Sequence, residues 1–226
     1  MDLVTQVRPY RGVAAPQRLA ERRRRFLDAG LDLLGQTYDE LTVRAICRQS
    51  GIATRHFYEA FADKDEFVAA VFDSVIGEIA GTTQAAVAAV APPEQNRAGI
   101  TNLVRIIGDD ARIGRLLFDP QLSNAILVRK RAELGGFFAV LAGQHAQTVL
   151  GQEDSHEIKA IAHFIVGGVN QTIHGWLTGA IALTRDELIE LLTALLNTFP
   201  DPRRAGVPPA SGESVAPRGI GRRVGA

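Results

Sequence analysis

Residues 42–67 read TVRAICRQSGIATRHFYEAFADKDEF, and this stretch decides the fold. Its first part predicts a short helix that Thr42 caps through its side-chain oxygen. Gly51 ends that helix, because glycine readily adopts the left-handed conformation that a tight turn needs. A second short helix follows over about residues 54–60. The side chains that the two helices turn inward are Val43, Ile46, Cys47, Phe57 and Phe61. Two short helices joined by such a turn describe a helix-turn-helix unit, an element that binds DNA.

A longer helix is predicted on each side of this unit. Residues 18–36 have the apolar spacing of an amphipathic helix, at Phe26, Ala29, Gly30, Leu33 and Leu34. After the unit, Asp63 and Glu66 have the spacing of a capping box. The helix that they begin reaches about Val90, before Pro92-Pro93 stops it. At ~1.5 Å per residue this helix is ~40 Å long, enough to link two subdomains.

The apolar periodicity beyond the prolines again indicates helices. We expect them at about 94–108, 110–118, 121–150, 155–182 and 185–198. Thr184 and Glu187 have the spacing of a second capping box, which begins the last of these helices. Alternation with a period of two is nearly absent, so no sheet is predicted and the fold class is all-α.

Composition excludes several classes of protein. The 226 residues have 46% hydrophobic and 22% charged side chains, as globular proteins do. The single cysteine, Cys47, excludes an internal disulfide framework and a multi-cysteine zinc site, and we expect it to be a small core residue. No secretory signal is recognisable, so we expect a cytoplasmic protein. No HExxH, Walker, GxGxxG or GxSxG motif occurs, and we expect no catalytic residue, metal or cofactor.

Basic residues concentrate at both ends of a chain whose formal net charge is zero. Residues 1–61 hold ten Arg and no Lys against seven acids, and residues 197–226 hold five Arg against two acids. Anion contacts are therefore expected at the ends, with chance variation of solvated faces as the alternative. The run Arg22–Arg25 passes around a full helical turn, and solvated surface is the expectation for at least two of its four members.

Residues 160–184 contain no charged side chain, and a segment of this length is long enough for a membrane span. Polar His163, Asn170 and His174 inside the segment make insertion costly, so we expect no membrane span. A helix that is apolar nearly all round in a soluble protein is instead buried on several sides, typically by a partner subunit. The pattern predicts that the helix at about 155–182 forms a helical dimer interface.

The run from Thr42 to Phe67 closely resembles the signature of TetR-family transcriptional regulators. Gly51, Tyr58 and Lys64 fall at the offsets expected for that family. The resemblance covers residues 18–80 in detail and the remainder only in helix count and size. It implies a helix-turn-helix domain at 18–80 with its motif at about 42–61, an effector-binding and dimerisation domain at 81–199, and a homodimer held by the helices at about 155–182 and 185–198. We expect residues 1–17 to form a flexible arm. Residues 200–226 are dense in Pro, Gly, Ser and Arg and lack a core pattern, which predicts a disordered tail.

The resemblance also implies a set of candidate DNA-binding residues. In the family, positions matching Thr42, Tyr58 and Lys64 commonly contact the DNA backbone; capping or surface packing is the alternative. Arg55 can bond guanine N7 and O6 together, although the family usually has a small residue there. Arg44 could reach backbone or base. The full set is Thr42, Arg44, Thr54, Arg55, His56, Tyr58 and Lys64.

Candidates for binding a small-molecule effector lie in the second half. His163, Asn170 and His174 fall on one face of their helix, where they either meet a polar ligand or bond within the protein. Trp176 could line an apolar pocket or merely pack. Three arginines could hold an anionic ligand, with a solvated face as the alternative: Arg105, Arg112 and Arg115.

The function that we expect is sequence-specific regulation of transcription. A homodimer would bind a palindromic operator in double-stranded DNA and act as a ligand-responsive repressor. Repression is the usual behaviour of the family, and the effector is not readable from the residues. The alternative is a helical small-molecule-binding or interaction dimer that has lost specific DNA binding.

Overall fold

The computed structural model describes residues 15–34, 41–122, 124–150 and 156–198. These residues form nine α-helices and no strand, so the all-α prediction is confirmed. The helices are α1 (Ala15–Leu34), α2 (Val43–Ser50), α3 (Thr54–Ala60), α4 (Lys64–Ala88), α5 (Gln95–Asp109), α6 (Ala111–Phe118), α7 (Ala125–Leu150), α8 (His156–Leu177) and α9 (Arg185–Asn197). The predicted tail at 200–226, and most of the predicted arm at 1–17, lie outside the described residues.

An aromatic cluster forms the core of the N-terminal domain. Phe26 of α1 meets Phe57 of α3 edge-on, with ring centroids 5.8 Å apart. Phe61 packs edge-on against Phe67 of α4 at 5.0 Å. All four rings are almost completely buried, and so is Ile46 of α2. The rings therefore fix α3 against both α1 and α4.

Helices α1 and α4 approach each other closely at Gly30. A methyl group at this position would lie 2.5 Å from Phe67 Cζ and 2.6 Å from Val71 Cγ2. Both of those side chains are buried, so neither can move aside freely. Glycine is required at residue 30 because α4 occupies the space of a side chain.

The start of α4 differs slightly from the predicted capping box. Asp63 Oδ1 accepts a hydrogen bond from Glu66 N at 2.8 Å, as expected. The returning bond, however, runs from Ala62 N to Glu66 Oε2 at 2.7 Å, so the glutamate satisfies a donor one residue before the cap. At α9 both halves of the predicted box form between Thr184 and Glu187.

The C-terminal domain is a bundle in which α4 and α5 run antiparallel. Asn102 Nδ2 of α5 donates to Thr82 and Thr83 of α4, and Gly99 packs near Val87. Helix α7 packs against α8 and against α4, where Lys130 Nζ contacts Asp73 at 2.7 Å. Helix α9 packs along α5.

Two predicted helix boundaries are wrong. Helix α8 ends at Leu177 and not at 182, because Gly179 takes a φ of +75° and ends the helix. Ile181 N then donates back to Gly175 O at 3.0 Å. Helix α7 begins at Ala125 and not at 121, since Asn124 Oδ1 accepts from the backbone N–H of residue 126 at 2.6 Å and caps the helix.

The approach at Gly30 predicts a pair of opposite stability changes. Gly30→Ala should lower the free energy of unfolding, because overpacking costs about 1–3 kcal/mol and the gain in helix propensity returns only about 1 kcal/mol. Gly81→Ala, on an exposed part of α4 with nothing within 4 Å of the added methyl group, should raise it by about 0.5–1 kcal/mol. Thermal unfolding of both variants measures the difference. Equal stabilisation by the two substitutions would contradict the close approach.

Candidate nucleic-acid interface and cavity

The helix-turn-helix unit has its predicted geometry. Thr42 Oγ1 accepts from Ala45 N at 3.1 Å and caps α2. Gly51 has a φ of 66°, in the left-handed region, and its N–H donates to Cys47 O. Helix α3 then begins at Thr54, where the sequence predicted it. Local residues thus set the angle between α2 and α3.

The candidate DNA-binding side chains lie at the surface of this unit. Five are exposed: Thr42, Arg44, Thr54, Arg55 and Tyr58. His56 and Lys64 are half-buried. Tyr58 is 60% exposed, and its ring rests edge-on against Phe57 at 5.4 Å, so that its hydroxyl group is held outside the core. Lys64 is the first residue of α4.

His56 is the centre of a polar network on α3. Its Nδ1 lies 2.7 Å from Glu59 Oε2, and its Nε2 lies 3.3 Å from Arg55 Nε. Arg22 Nη1 of α1 lies 2.7 Å from the same Nδ1, so this nitrogen faces both a carboxylate and a guanidinium group. Arg22 of α1 reaches the same carboxylate, with Nη1 3.3 Å from Glu59 Oε2. The first turn of α3 is thereby connected to α1.

Glu59 remains ionised in this network. The hydrogen bond from His56 is the largest effect on the pKa of Glu59 and lowers it; desolvation, the second effect, opposes it, and the charge of Arg22 adds a smaller lowering. A carboxylate whose pKa is lowered keeps its contacts above its ordinary pKa and loses them as the pH falls through the lowered value. The network is therefore complete at neutral pH.

Three members of the arginine run hold α1 to α2 and α3. Arg22 reaches His56 and Glu59, and Arg23 donates to Ala60 O at 2.9 Å while its guanidinium lies 4.5 Å from the Phe61 ring centroid. Arg25 Nη2 donates to Ser50 O at 2.6 Å, and Arg24 pairs only with Glu21 of its own helix. Arg24 and Arg25 are exposed, as expected for at least two of the four, although exposed Arg25 also contacts α2.

A cavity of about 680 Å³ lies in the C-terminal domain, between α4, α5, α7 and α8. Its wall is mostly apolar, with residues such as Ile79, Leu103 and Phe138. Arg131 of α7 is the one charged side chain among the described residues of the wall. A cavity of this size accommodates a drug-sized ligand.

The helix-turn-helix unit matches a known family. A family model described as bacterial regulatory proteins of the tetR family matches residues 26–71, from α1 to the first turns of α4. In these residues the chain is similar to the regulatory proteins of that family. The description is one of regulatory proteins and not of enzymes. No curated protein matches the chain.

Solved structures share the fold along most of this chain. The fatty acid degradation regulator FadR from Bacillus halodurans is 15% identical, with a TM-score of 0.63, over 77% of this chain and 94% of its own. FadR from Bacillus subtilis, in complex with stearoyl-CoA, is 17% identical, with a TM-score of 0.58, over 77% and 95%. A TetR-family regulator from Syntrophomonas wolfei is 17% identical, with a TM-score of 0.65, over 80% and 95%. At these identities the likeness shows the fold alone.

The candidate effector residues lie in different places. Asn170 lines the cavity. His174 stacks near Phe118 with ring centroids 5.5 Å apart, and its Nδ1 is buried without a hydrogen-bond partner. Trp176 Nε1 donates to Leu183 O at 2.9 Å, which joins the end of α8 to the loop before α9. His163 is exposed.

Sequence analysis did not identify Arg131 as the charged residue at the cavity and proposed arginines of α5 and α6 instead. Arg105 lies near Asp109, and Arg112 bonds to Asp32 and Asp110; neither is part of the described wall. Arg131 lies in a helix whose sequence carries several basic residues, and only the packing of α7 distinguishes it. Among the described residues, no helix is long and apolar enough to cross a membrane.

The contacts of the arginine run predict different effects of two neighbouring substitutions. Arg23→Ala should lower the free energy of unfolding by about 2 kcal/mol, because it removes a charged hydrogen bond to α3 and the contact with Phe61. Arg24→Ala makes the same change of charge on the same helix, but it should leave the melting temperature unchanged. Thermal unfolding at equal protein concentration makes the comparison. If both variants melted together, Arg23 would not hold α3.

Proposed function

We propose that this chain is a ligand-responsive repressor that binds a palindromic operator in double-stranded DNA as a homodimer. The helix-turn-helix domain at 18–80 would read the DNA, and the helical domain at 81–199 would bind an effector and form the dimer. The observation that carries the proposal is the start of α3, where Thr54 and Arg55 are exposed and the neighbouring His56 contacts Arg22 of α1. A fixed recognition helix is what readout in the major groove requires.

The surface of the unit supports division of the DNA contacts into two kinds. Arg55 at the start of α3 would contact a base edge, and His56 and Thr54 beside it would complete the readout. Tyr58, Thr42 and Lys64 would contact phosphates, with Arg44 reaching backbone or base. Lys64 in the first turn of α4 adds its charge to backbone N–H groups that already favour anions.

The outer faces of α8 and α9 support a homodimer. Leu188 and Leu192 of α9 are buried in the chain's own core, whereas Leu191 and Leu195 on another face are 44% and 47% exposed. On α8, Phe164 is 68% exposed. Apolar side chains on helices that are already packed on one face favour a second packed surface, and a two-fold axis would pair the patch with itself.

Two connections would link the effector cavity to the DNA-binding domain. Helix α4 packs Phe67 against Gly30 and also lines the cavity from Ile76 onward. Helix α6 reaches the cavity through Phe118, and its Arg112 bonds to Asp32 of α1. An effector that binds one arrangement of these helices better than another would shift the spacing of the two recognition helices.

The effector that the cavity supports is a largely apolar molecule. One structural neighbour, the Bacillus subtilis FadR, is described in complex with stearoyl-CoA. The described wall of the cavity in this chain is likewise mostly apolar. We therefore propose a long apolar effector for this protein too.

Selection of binding sites from a pool of random DNA duplexes tests the DNA-binding proposal. The selected sites should be palindromes with half-site centres about one helical turn, ~34 Å, apart. A gel-shift titration of a selected site should saturate in the presence of excess competitor DNA. Arg55→Ala should relax discrimination at one base pair by about 1–3 kcal/mol. Weak, salt-labile binding to all DNA alike would instead favour the dimer that has lost specific DNA binding.

The salt dependence of binding separates the two phosphate contacts. Lys64→Gln should weaken binding to all DNA sequences. It should also make the slope of log K against log salt concentration less steep by about 0.9 for each phosphate that the lysine no longer neutralises, and a dimer would lose two such contacts. Tyr58→Phe should weaken binding by about 0.5–1.5 kcal/mol per hydroxyl group removed without a change of slope, because a hydroxyl group carries no charge. Gel shifts at several salt concentrations measure both. An unchanged slope for Lys64→Gln would remove Lys64 from the phosphate contacts.

Sedimentation measurements test the dimer. Phe164→Glu and Leu195→Glu should shift the protein from dimer toward monomer, because each places a charge in the apolar interface. Val128→Glu is the matched control, since Val128 of α7 is 53% exposed and lies outside the proposed interface. If Phe164→Glu and Leu195→Glu remained dimeric, the proposed interface would be wrong.

A further inference from the structure

The cavity is elongated, and its direction follows from the antiparallel packing of α4 and α5. Helix α4 lines it from Ile76 to Ala88 and α5 lines it from Gln95 to Ile107. Each stretch advances twelve residues, which is ~18 Å at the rise of an α-helix. The cavity is therefore a channel with an inner end at Ile76 and Ile107, on the side of the DNA-binding domain, and an outer end at Ala88 and Gln95.

The two ends differ in chemistry. The uncharged polar side chains Gln84, Gln95 and Asn96 surround the outer end. Leu117 and Phe118 from the end of α6 line the inner end together with the charged Arg131. The wall between the two ends is mostly apolar, with Ile79, Ile100, Leu103, Phe138 and Val169, and its polar members are Thr83 and Asn170. A channel of this form suits a linear chain with one polar terminus.

The charge of Arg131 has no carboxylate partner in the described part of the chain. Its Nε and Nη2 donate to Leu116 O at 3.0 and 2.7 Å, and its Nη1 donates to Leu122 O at 3.2 Å. Burial lowers the pKa of Arg131, and only Asp119, which makes no ion pair with it, opposes the effect. Arginine nevertheless stays protonated in proteins, so the inner end carries a half-buried positive charge. An anionic group placed there would be stabilised by charge and by hydrogen bonding.

We infer that the channel binds a long-chain fatty acid with its carboxylate at Arg131 and its hydrocarbon chain along α4 and α5. This inference rests on the proposed function and names the class of its effector. The free acid is favoured over an acyl thioester of coenzyme A, because the described wall offers one cation and no second basic residue for phosphates. Near the outer end, Arg97 is already paired with Glu190 of α9.

Calorimetric titration of the full chain with three ligands of one chain length tests the inference. Hexadecanoate should bind, and hexadecan-1-ol should bind at least about tenfold more weakly, because it lacks the charge that Arg131 stabilises. Palmitoyl-CoA should also bind more weakly than the free acid. Equal binding of the acid and the alcohol would overturn the role of Arg131, and tighter binding of palmitoyl-CoA would overturn the choice of the free acid.

Two neighbouring glycines of α7 supply a matched pair of variants. Gly135 lines the channel and Gly136 is outside its described wall, and an added Cβ would meet nothing within 4 Å at either position. Gly135→Leu should fill the channel and abolish hexadecanoate binding, whereas Gly136→Leu should retain it. Retention of binding by Gly135→Leu would place the ligand elsewhere.

Substitution of Arg131 distinguishes charge from structure. Arg131→Lys keeps the positive charge and should bind hexadecanoate within about tenfold of the unchanged chain, whereas Arg131→Gln should lose the preference for the acid over the alcohol. Circular dichroism checks that both variants fold. If Arg131→Gln folded and kept the preference, the assignment of the head group would be wrong.

Gel shifts on a selected operator keep this inference separate from the proposed function. Hexadecanoate should release the DNA from the unchanged chain and not from Gly135→Leu. Specific DNA binding without any hexadecanoate binding would overturn the effector class alone. Hexadecanoate binding without specific DNA binding would overturn the proposed regulator and leave the ligand site standing.

Discussion

The close packing of α4 against α1 at Gly30 is the contact on which both halves of the molecule depend. Phe67 and Val71 of α4 fill the space that a side chain at residue 30 would occupy, so α4 packs directly against α1. The same helix continues for 25 residues and becomes a wall of the cavity from Ile76 onward. Because a packed helix moves as a unit, a movement of α4 at the cavity wall would be transmitted to the recognition helix through the contact at Gly30.

The arginine run shows how one helix can both seal a core and orient a binding surface. Consecutive residues of a helix point in different directions, so four neighbouring guanidinium groups meet different partners. Arg25 reaches the end of α2, Arg23 the end of α3, and Arg22 the side chains of His56 and Glu59. The position of α3 is thus determined by polar contacts at its rim as well as by the aromatic rings beneath it.

The sequence was sufficient for the helix-turn-helix unit because its determinants are local. Thr42, Gly51 and the spacing of Phe57 and Phe61 fix the two caps and the inner face within one short stretch. The end of α8 was predicted five residues too late, since the left-handed glycine lies inside an apolar run that continues helical periodicity beyond it. Local pattern could not decide which glycine of that run would stop the helix.

The cavity and its charge could not be read from the sequence, because they arise from the packing of distant segments. Arg131 differs in no local feature from its basic neighbours, and only the fold brings it to the last carbonyls of α6. The C-terminal end of a helix carries partial negative charge, which stabilises this guanidinium beside an apolar channel. A carboxylate at Arg131 would compete with those carbonyls for the same donors. At the opposite end of α6, Arg112 forms an ion pair with Asp32 of α1. Ligand binding in the channel would therefore be linked to the contact between α6 and the DNA-binding domain.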